Sequence, residues 1–281
     1  MPFEPTYLEF HALFVLPPVV ALAWRWHRRR REGARRPGQR AVLDGGRAAA
    51  GRLVRADFGL DALGLLAILF AAVVYTVPWD NALIAVGVWT YGPGRVAATL
   101  WHAPVGEYLF FLAQPTLTAL FLAALPREWS RTAERTPVAS PRRLRVASVG
   151  LAAAIGAAGV AALASPPTLY LGAILAWAAP VFALQWAVGA PALVARRRLV
   201  AAAVCVPTLY LCVADRVAID AGIWSLSPTW TTGRSVFGLP VEEALFFLVT
   251  NLFVVQGLVL YRWVTETGAA DQLRRTVRSW R

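Results

Sequence analysis

The chain has 281 residues, 58% of them hydrophobic, with a mean hydropathy of +0.53 and a formal net charge of +12. That apolar share exceeds the roughly 45–50% of ordinary soluble domains, so a polytopic membrane protein is expected. All 28 Lys/Arg positions are Arg, and they cluster between the apolar runs instead of lining an amphipathic face, which excludes a nucleic-acid-binding stripe.

In chain order, seven stretches approach the ~20 apolar residues that cross a hydrocarbon core of about 30 Å. They are Tyr7–Trp26, Leu60–Val77, Pro104–Leu125, Val146–Ala164, Thr168–Gly189, Leu199–Ala218 and Pro240–Trp263. Open sheet edges stay unpaired in lipid, so the spans are helices and the predicted fold class is all-α, with about seven transmembrane helices. The first stretch is too long for a signal-peptide core, and its basic residues follow it. Semi-apolar pieces at Asn81–Tyr91 and Val217–Leu226 trail the second and sixth spans, as re-entrant, interfacial or bent segments.

Arginine placement gives an orientation. Residues 25–55, 126–145, 195–199 and 262–281 hold 25 of the 28, and the alternating loops hold only Arg95, Arg216 and Arg234. Positive-inside asymmetry then puts the amino terminus outside and the carboxyl terminus in the cytoplasm of a multi-pass cell-membrane protein. Cys205 and Cys212 lie seven apart on one span, a spacing for neither a metal nor a disulfide framework. His11, His27 and His102 are too few for a histidine-rich iron site, and no Gly-x-Gly-x-x-Gly phrase occurs.

The chain also repeats itself. "DNALIAVGVWTYGP" from Asp80 matches "DRVAIDAGIWSLSP" from Asp215 at an offset of 135, pairing Gly87 with Gly222, Trp89 with Trp224 and Pro93 with Pro228. One residue of adjustment then pairs Pro104, Glu107, Phe110 and Phe111 with Pro240, Glu243, Phe246 and Phe247. Upstream, Tyr7 and Pro17 weakly echo Tyr170 and Pro180. The predicted organisation is a first repeat over 1–125, a basic loop and linker helix over 126–166, a second repeat over 167–265 and a basic tail over 266–281. With one extra helix between them, the two three-helix repeats enter the membrane in the same sense, as parallel repeats. Both acidic phrases then lie at one depth, where a site between the halves meets acids from each.

Carboxyls on membrane spans are costly, so function is the default expectation for Glu107, Glu242, Glu243, Asp80 and Asp215. Burial disfavours the charged form of a carboxyl, which equips it as a proton donor. A proline with acids in the first helical turn is also an ordinary helix start; the duplication is what favours a site. Glu107, Phe110, Phe111 and Gln114 occupy i, i+3, i+4 and i+7, one helix face, and Glu243, Phe246, Phe247 and Thr250 repeat it. An acid above two rings can protonate an alkene and shelter the carbocation through the ring faces, although such Phe pairs also serve plain packing. Trp89 and Trp224 are candidates for substrate contact or for interface anchors. Gln114 and Asn251 are supporting polar groups, His11 is read as a packed, hydrogen-bonded histidine, and His102 as a loop histidine near Glu107. Asp215 and Asp220, five apart, do not share a face of a straight helix, which argues against a diphosphate–magnesium pair.

The phrases "PVGEYLFFLAQPTLTALF" and "PVEEALFFLVTNLFVVQGL", each preceded by an Asp…Gly-x-Trp stretch, resemble the membrane-integral lycopene cyclases. That family comprises two homologous small subunits in some bacteria and one fused chain in archaea and in fungal bifunctional enzymes. The resemblance covers roughly residues 5–125 and 167–265. It implies an isomerase that cyclises the ends of linear lycopene to β-ionone rings, giving γ-carotene and then β-carotene. The chemistry is redox-neutral: a terminal alkene is protonated, a neighbouring double bond attacks the cation, and a proton leaves. It implies Glu242 and Glu243 as acid/base pair, Glu107 as the matching acid, and Asp80 and Asp215 in support, while the spacing and the repeat offer Phe110, Phe111, Phe246, Phe247, Trp89 and Trp224 as candidates against substrate. No metal is implied, no cofactor is evident, and a flavin or NAD(P)H requirement stays open. The partners implied are lycopene or a related carotenoid, membrane lipids and other carotenoid enzymes. The chain departs from the pattern at Gly106, where the second copy has Glu242, so the halves are expected to be inequivalent. Cyclisation of fifty-carbon carotenoids, ε-ring formation, a membrane prenyltransferase and a non-catalytic carotenoid- or proton-handling protein remain as alternatives.

Overall fold

The computed structural model describes residues 4–34, 61–126 and 140–267. Most of the basic residues 25–55 and 126–145, and nearly all of the tail 266–281, lie outside the described residues. Among the described residues, seven helices are long and apolar enough to cross a membrane.

Helix α1 begins as Tyr7–Phe10, widens into a π-turn over His11–Val15 and continues as Leu16–Ala34. The cause is Pro17–Pro18: a proline has no N–H and its ring collides with the carbonyl four residues back. Pro18 thus leaves the Phe14 carbonyl unclaimed, and the Tyr210 hydroxyl donates to it at 2.7 Å. Thr6 and Glu9 form a reciprocal capping box at the start of α1, which places Glu9 in a structural role.

Helix α2 runs Ala62–Val86, capped by Asp61, whose Oδ1 accepts from the Leu63 and Gly64 amides at 2.9 and 3.3 Å. It continues through Pro78, well past the Val77 limit predicted for this span. The segment Asn81–Tyr91 is accordingly a helical continuation to Val86 followed by strand β1, Trp89–Tyr91. Gly87 ends α2 at φ 82°, a left-handed C-cap that costs glycine nothing. Two short strands, β2 Thr99–Leu100 and β3 Ala103–Pro104, form a hairpin leading into α3, Val105–Ala124. Helix α4 spans Pro141–Ala162 and packs along α5, Leu169–Ala195. Gly159 and Gly172 meet at this contact so closely that a Cβ on either would strike backbone of the other helix, the small-residue packing of membrane helices. Helix α5 kinks at Gly189, φ −143° and ψ 31°.

Helix α6 covers Arg197–Asp220, so Val217–Leu226 is likewise the end of a helix, a turn at Gly222 with φ 67°, and strand β4, Trp224–Leu226. A second hairpin, β5 Ser235–Val236 with β6 Leu239–Pro240, leads into α7, Val241–Thr267. Strands β1 and β4 pair antiparallel with Thr90 opposite Ser225, Trp89 opposite Leu226 and Tyr91 opposite Trp224. Among the described residues, the hairpin tips hold the two non-glycine residues of positive φ, Trp101 at 58° and Phe237 at 50°, both with exposed rings. Helices α3 and α7 are the most buried spans, and the N-terminal turns of both meet the ends of α2 and α6 beneath the β1–β4 pair.

Candidate active site

The amide of Tyr7 donates to the Arg95 carbonyl at 2.8 Å, and the amide of Tyr170 donates to the Trp230 carbonyl at 3.1 Å. These bonds tie the first turns of α1 and α5 to the loops that follow β1 and β4. Both tyrosine rings are thereby aimed inward, 4% and 2% exposed, towards the N-terminal turns of α3 and α7.

They frame a cavity between the two halves of the chain. Four carboxyls line it: Asp80 from α2, Glu107 from α3, Asp215 from α6 and Glu243 from α7. Rings supply most of the remaining wall, among them Trp79, Trp89, Phe110, Trp224, Phe246 and Phe247. The Trp79 and Phe246 rings lie parallel, 5.8 Å between centroids and 5° apart in plane, and Trp79 stacks in turn on Trp177 at 4.9 Å.

Each glutamate is held by phenols. Tyr170 donates to Glu243 Oε1 at 2.9 Å. Tyr91 donates to Glu107 Oε1 at 2.8 Å and accepts from Trp89 Nε1 at 2.9 Å; the Tyr7 ring lines the same side of the cavity as Glu107. Burial, and then the facing Glu107, raise the Tyr91 phenol far above its ordinary pKa, so it stays a donor. The two sides differ because the second repeat has Leu226 in the place of Tyr91. Trp224 Nε1 instead donates to Asp215 Oδ1 at 3.0 Å.

The predicted residues divide cleanly. Glu107, Glu243, Asp80, Asp215, Phe110, Phe246, Phe247, Trp89 and Trp224 all line the cavity. Trp89 is 8% exposed, a core position and not an interface anchor. Glu242, expected in an acid/base pair with Glu243, is absent from the cavity wall. Neighbouring helical residues point in different directions, and Glu242 turns to the preceding loop, where its Oε1 accepts from the Thr232 amide and hydroxyl, each at 2.7 Å. It is completely buried, and its Oε2 has no partner.

Phe111 is also off the wall, packed with Val77, Leu117 and Leu211. Gln114 and Asn251 sit deeper. Gln114 Nε2 donates to Asn251 Oδ1 at 2.6 Å, Thr118 donates to the same oxygen, and Asn251 Nδ2 donates to Thr208 at 3.0 Å. This buried polar seam joins α3, α6 and α7 below the site. His11 donates from Nε2 to the Gly106 carbonyl at 2.9 Å, as a packed histidine does. His102 contributes its backbone amide to Asn81 at 2.9 Å while its side chain is exposed. Asp220 is exposed and pairs with Arg216, away from Asp215.

Gly106 has a steric reason. A Cβ there would run into the ring of Tyr7. The first repeat thus gives up the acid of the second to bring Tyr7 onto Glu107.

Sequence reasoning missed Tyr7, Tyr91, Tyr170, Trp79 and Phe10 as site residues. The match of Tyr7 with Tyr170 across the repeat was the available signal for two of them.

Among proteins of known activity, the chain is 47% identical over 263 residues to a lycopene beta-cyclase of Halobacterium salinarum, covering 92% of this chain and 97% of that protein. It is 32% identical over 203 residues to a bifunctional lycopene cyclase/phytoene synthase of Aspergillus oryzae, covering 71% of this chain and 34% of that protein. The corresponding protein of Blakeslea trispora is 31% identical over 256 residues, covering 89% of this chain and 38% of that protein. No family model matches the chain, and no solved structure does.

Proposed function

The chain belongs to the membrane-integral lycopene cyclase family, and on that premise we propose that it closes the ends of lycopene into β-ionone rings by proton transfer between Glu243 and Glu107. The observation carrying this is the placement of both glutamates, one from each half, in a single aromatic cavity.

Glu243 acts as the acid. It delivers its proton to the terminal alkene; the neighbouring double bond then attacks the tertiary cation, and the charge moves to a ring carbon. Carbocations have no hydrogen bond to accept, but ring faces attract them by about 0.5–2 kcal/mol each, more when water is excluded. Trp79, Phe110, Phe246 and Phe247 supply such faces. Glu107 acts as the base and removes the proton that leaves the ring. The Tyr91 donor, which itself accepts from Trp89, stabilises it as a carboxylate.

Bonds and electrons balance without oxidation or reduction, so the proposal assigns the chemistry to side chains. Assaying purified protein with and without reduced flavin or NAD(P)H tests whether a redox group must also be bound. A cavity of rings and acids favours this chemistry over prenyl transfer, which acts on a charged diphosphate. We also propose that the two halves are parallel repeats about a local two-fold axis. The self-pairing of Thr90 with Ser225, equivalent residues at the offset of 135, supports this, because an isologous contact places equivalent residues opposite each other. The proposed orientation, amino terminus outside, rests on the arginine asymmetry.

Expression in lycopene-accumulating cells, with pigments separated by chromatography, tests the function. Cyclic carotenes are expected; unchanged lycopene beside stable membrane-inserted protein would overturn it.

A further inference from the structure

Ring closure leaves the site's proton count unchanged but its proton misplaced: Glu243 has lost a proton and Glu107 has gained one. A second round requires that the proton, or another, reach Glu243. Two features of the cavity bear on how.

Asp80 and Asp215 are each 3% exposed and line the same cavity as the two glutamates. Each has one carboxyl oxygen, Oδ2, with no hydrogen-bond partner. A buried polar atom left unpaired is costly, about 1–3 kcal/mol, and here it happens twice, at equivalent positions of the two halves. Trp224 satisfies the other oxygen of Asp215, so the pairing is incomplete by one atom and the residue is not simply misplaced. Each aspartate comes from a different helix from either glutamate and opens onto the same space as both. Among the described residues, no basic side chain lines the cavity. Like charges facing one another without a cation are unfavourable, so four carboxyls in one space make a set that shares protons.

Resting on the acid and base assigned above, we propose that Asp80 and Asp215 return the proton from Glu107 to Glu243 after each ring closure, so that hydrogen removed from one substrate end is delivered to a later one. The O–H bond of Glu107 breaks as one forms at an unpaired aspartate oxygen; that bond breaks in turn as the O–H of Glu243 forms. Glu107 ends as carboxylate, Glu243 as acid, and both aspartates as they began. No electrons move and no water is consumed. The unpaired oxygens are the points of receipt and release.

The test uses full-length protein in lipid vesicles with a mixture of unlabelled lycopene and lycopene deuterated at the carbon that loses its hydrogen on closure. Mass spectrometry of the products is expected to find deuterium in rings formed from unlabelled molecules. In Asp80→Asn and Asp215→Asn, which keep the shape but carry no proton, that transfer is lost. Those variants also show a burst of about one ring per protein, followed by turnover slowed by about 10²-fold. Absence of transferred deuterium from the wild-type products overturns the return path, as does transfer that survives in both Asn variants. Should the variants not fold, the wild-type label alone decides. A wild-type protein that forms no rings at all would sink the acid–base assignment, a separate failure.

Discussion

Replacing Gly106 with Ala adds one methyl group at the point where the repeats diverge. The new Cβ meets the ring of Tyr7, which has nowhere to retreat: it is 4% exposed, stacked on His11 at 4.8 Å and tilted against Trp224 at 4.9 Å. Overpacking of this kind costs about 1–3 kcal/mol, while exchanging glycine for alanine in a helix returns up to about 1 kcal/mol. A net loss of up to about 2 kcal/mol follows, visible as an earlier melting transition in detergent. Activity falls further than stability. If Tyr7 is pushed away from Glu107, the base loses the stabilisation of a neighbouring phenol, bounded by a hydrogen bond to a charged acceptor at about 1.5–3 kcal/mol. At 1.36 kcal/mol per decade, that slows ring closure by about 10- to 150-fold. The assay is lycopene conversion in vesicles at equal protein, with the melting midpoint recorded on the same preparation. Adding Tyr7→Leu to Gly106→Ala relieves the crowding, so the midpoint recovers while the rate does not. A Gly106→Ala protein with wild-type rate and midpoint would refute the idea that this glycine exists to seat Tyr7 on Glu107.

Tyr91→Phe removes the phenol between Trp89 Nε1 and Glu107 Oε1; kcat is expected to fall by about tenfold or more with KM little changed, and an equal rise in KM would point to substrate binding instead. Glu242→Gln retains an acceptor for Thr232 and should keep activity within about threefold, whereas Glu242→Ala strands the Thr232 donors and lowers the melting midpoint by an equivalent of about 1–3 kcal/mol; loss of turnover in the Gln variant at full stability would return Glu242 to the chemistry. Asn251→Leu leaves Gln114, Thr118 and Thr208 without their shared partner and is expected to destabilise by about 1–3 kcal/mol for each group that finds no new bond, read by thermal unfolding in detergent.

The spans were legible because length and apolarity leave little choice in lipid. Their ends were not. Pro78, Asp80 and Asn81 look like a helix terminus, yet α2 continues to Val86 because membrane helices tolerate proline where neighbours satisfy the freed groups. The Phe14 carbonyl freed in α1 is satisfied by Tyr210, almost two hundred residues away, which local sequence cannot announce. In the site, the carboxyls stood out because acids on spans are expensive and these came in duplicate. Tyr7, Tyr91 and Tyr170 did not, since a tyrosine near a span end is ordinary until its hydroxyl is seen on a glutamate. That Glu242 turns away from the cavity was legible too: adjacent residues on a helix do not face one space, and only one of the pair can align with Glu107.

The most direct test is product formation by Glu243→Gln in membranes containing lycopene, normalised to the amount of folded protein, beside Glu107→Gln. The amide preserves shape and hydrogen bonding but has no proton to give, so a fall in cyclic carotene of at least about 10²-fold is expected for the first variant, with lycopene left linear. Cyclic carotene formed by Glu243→Gln at close to the wild-type rate would contradict the account.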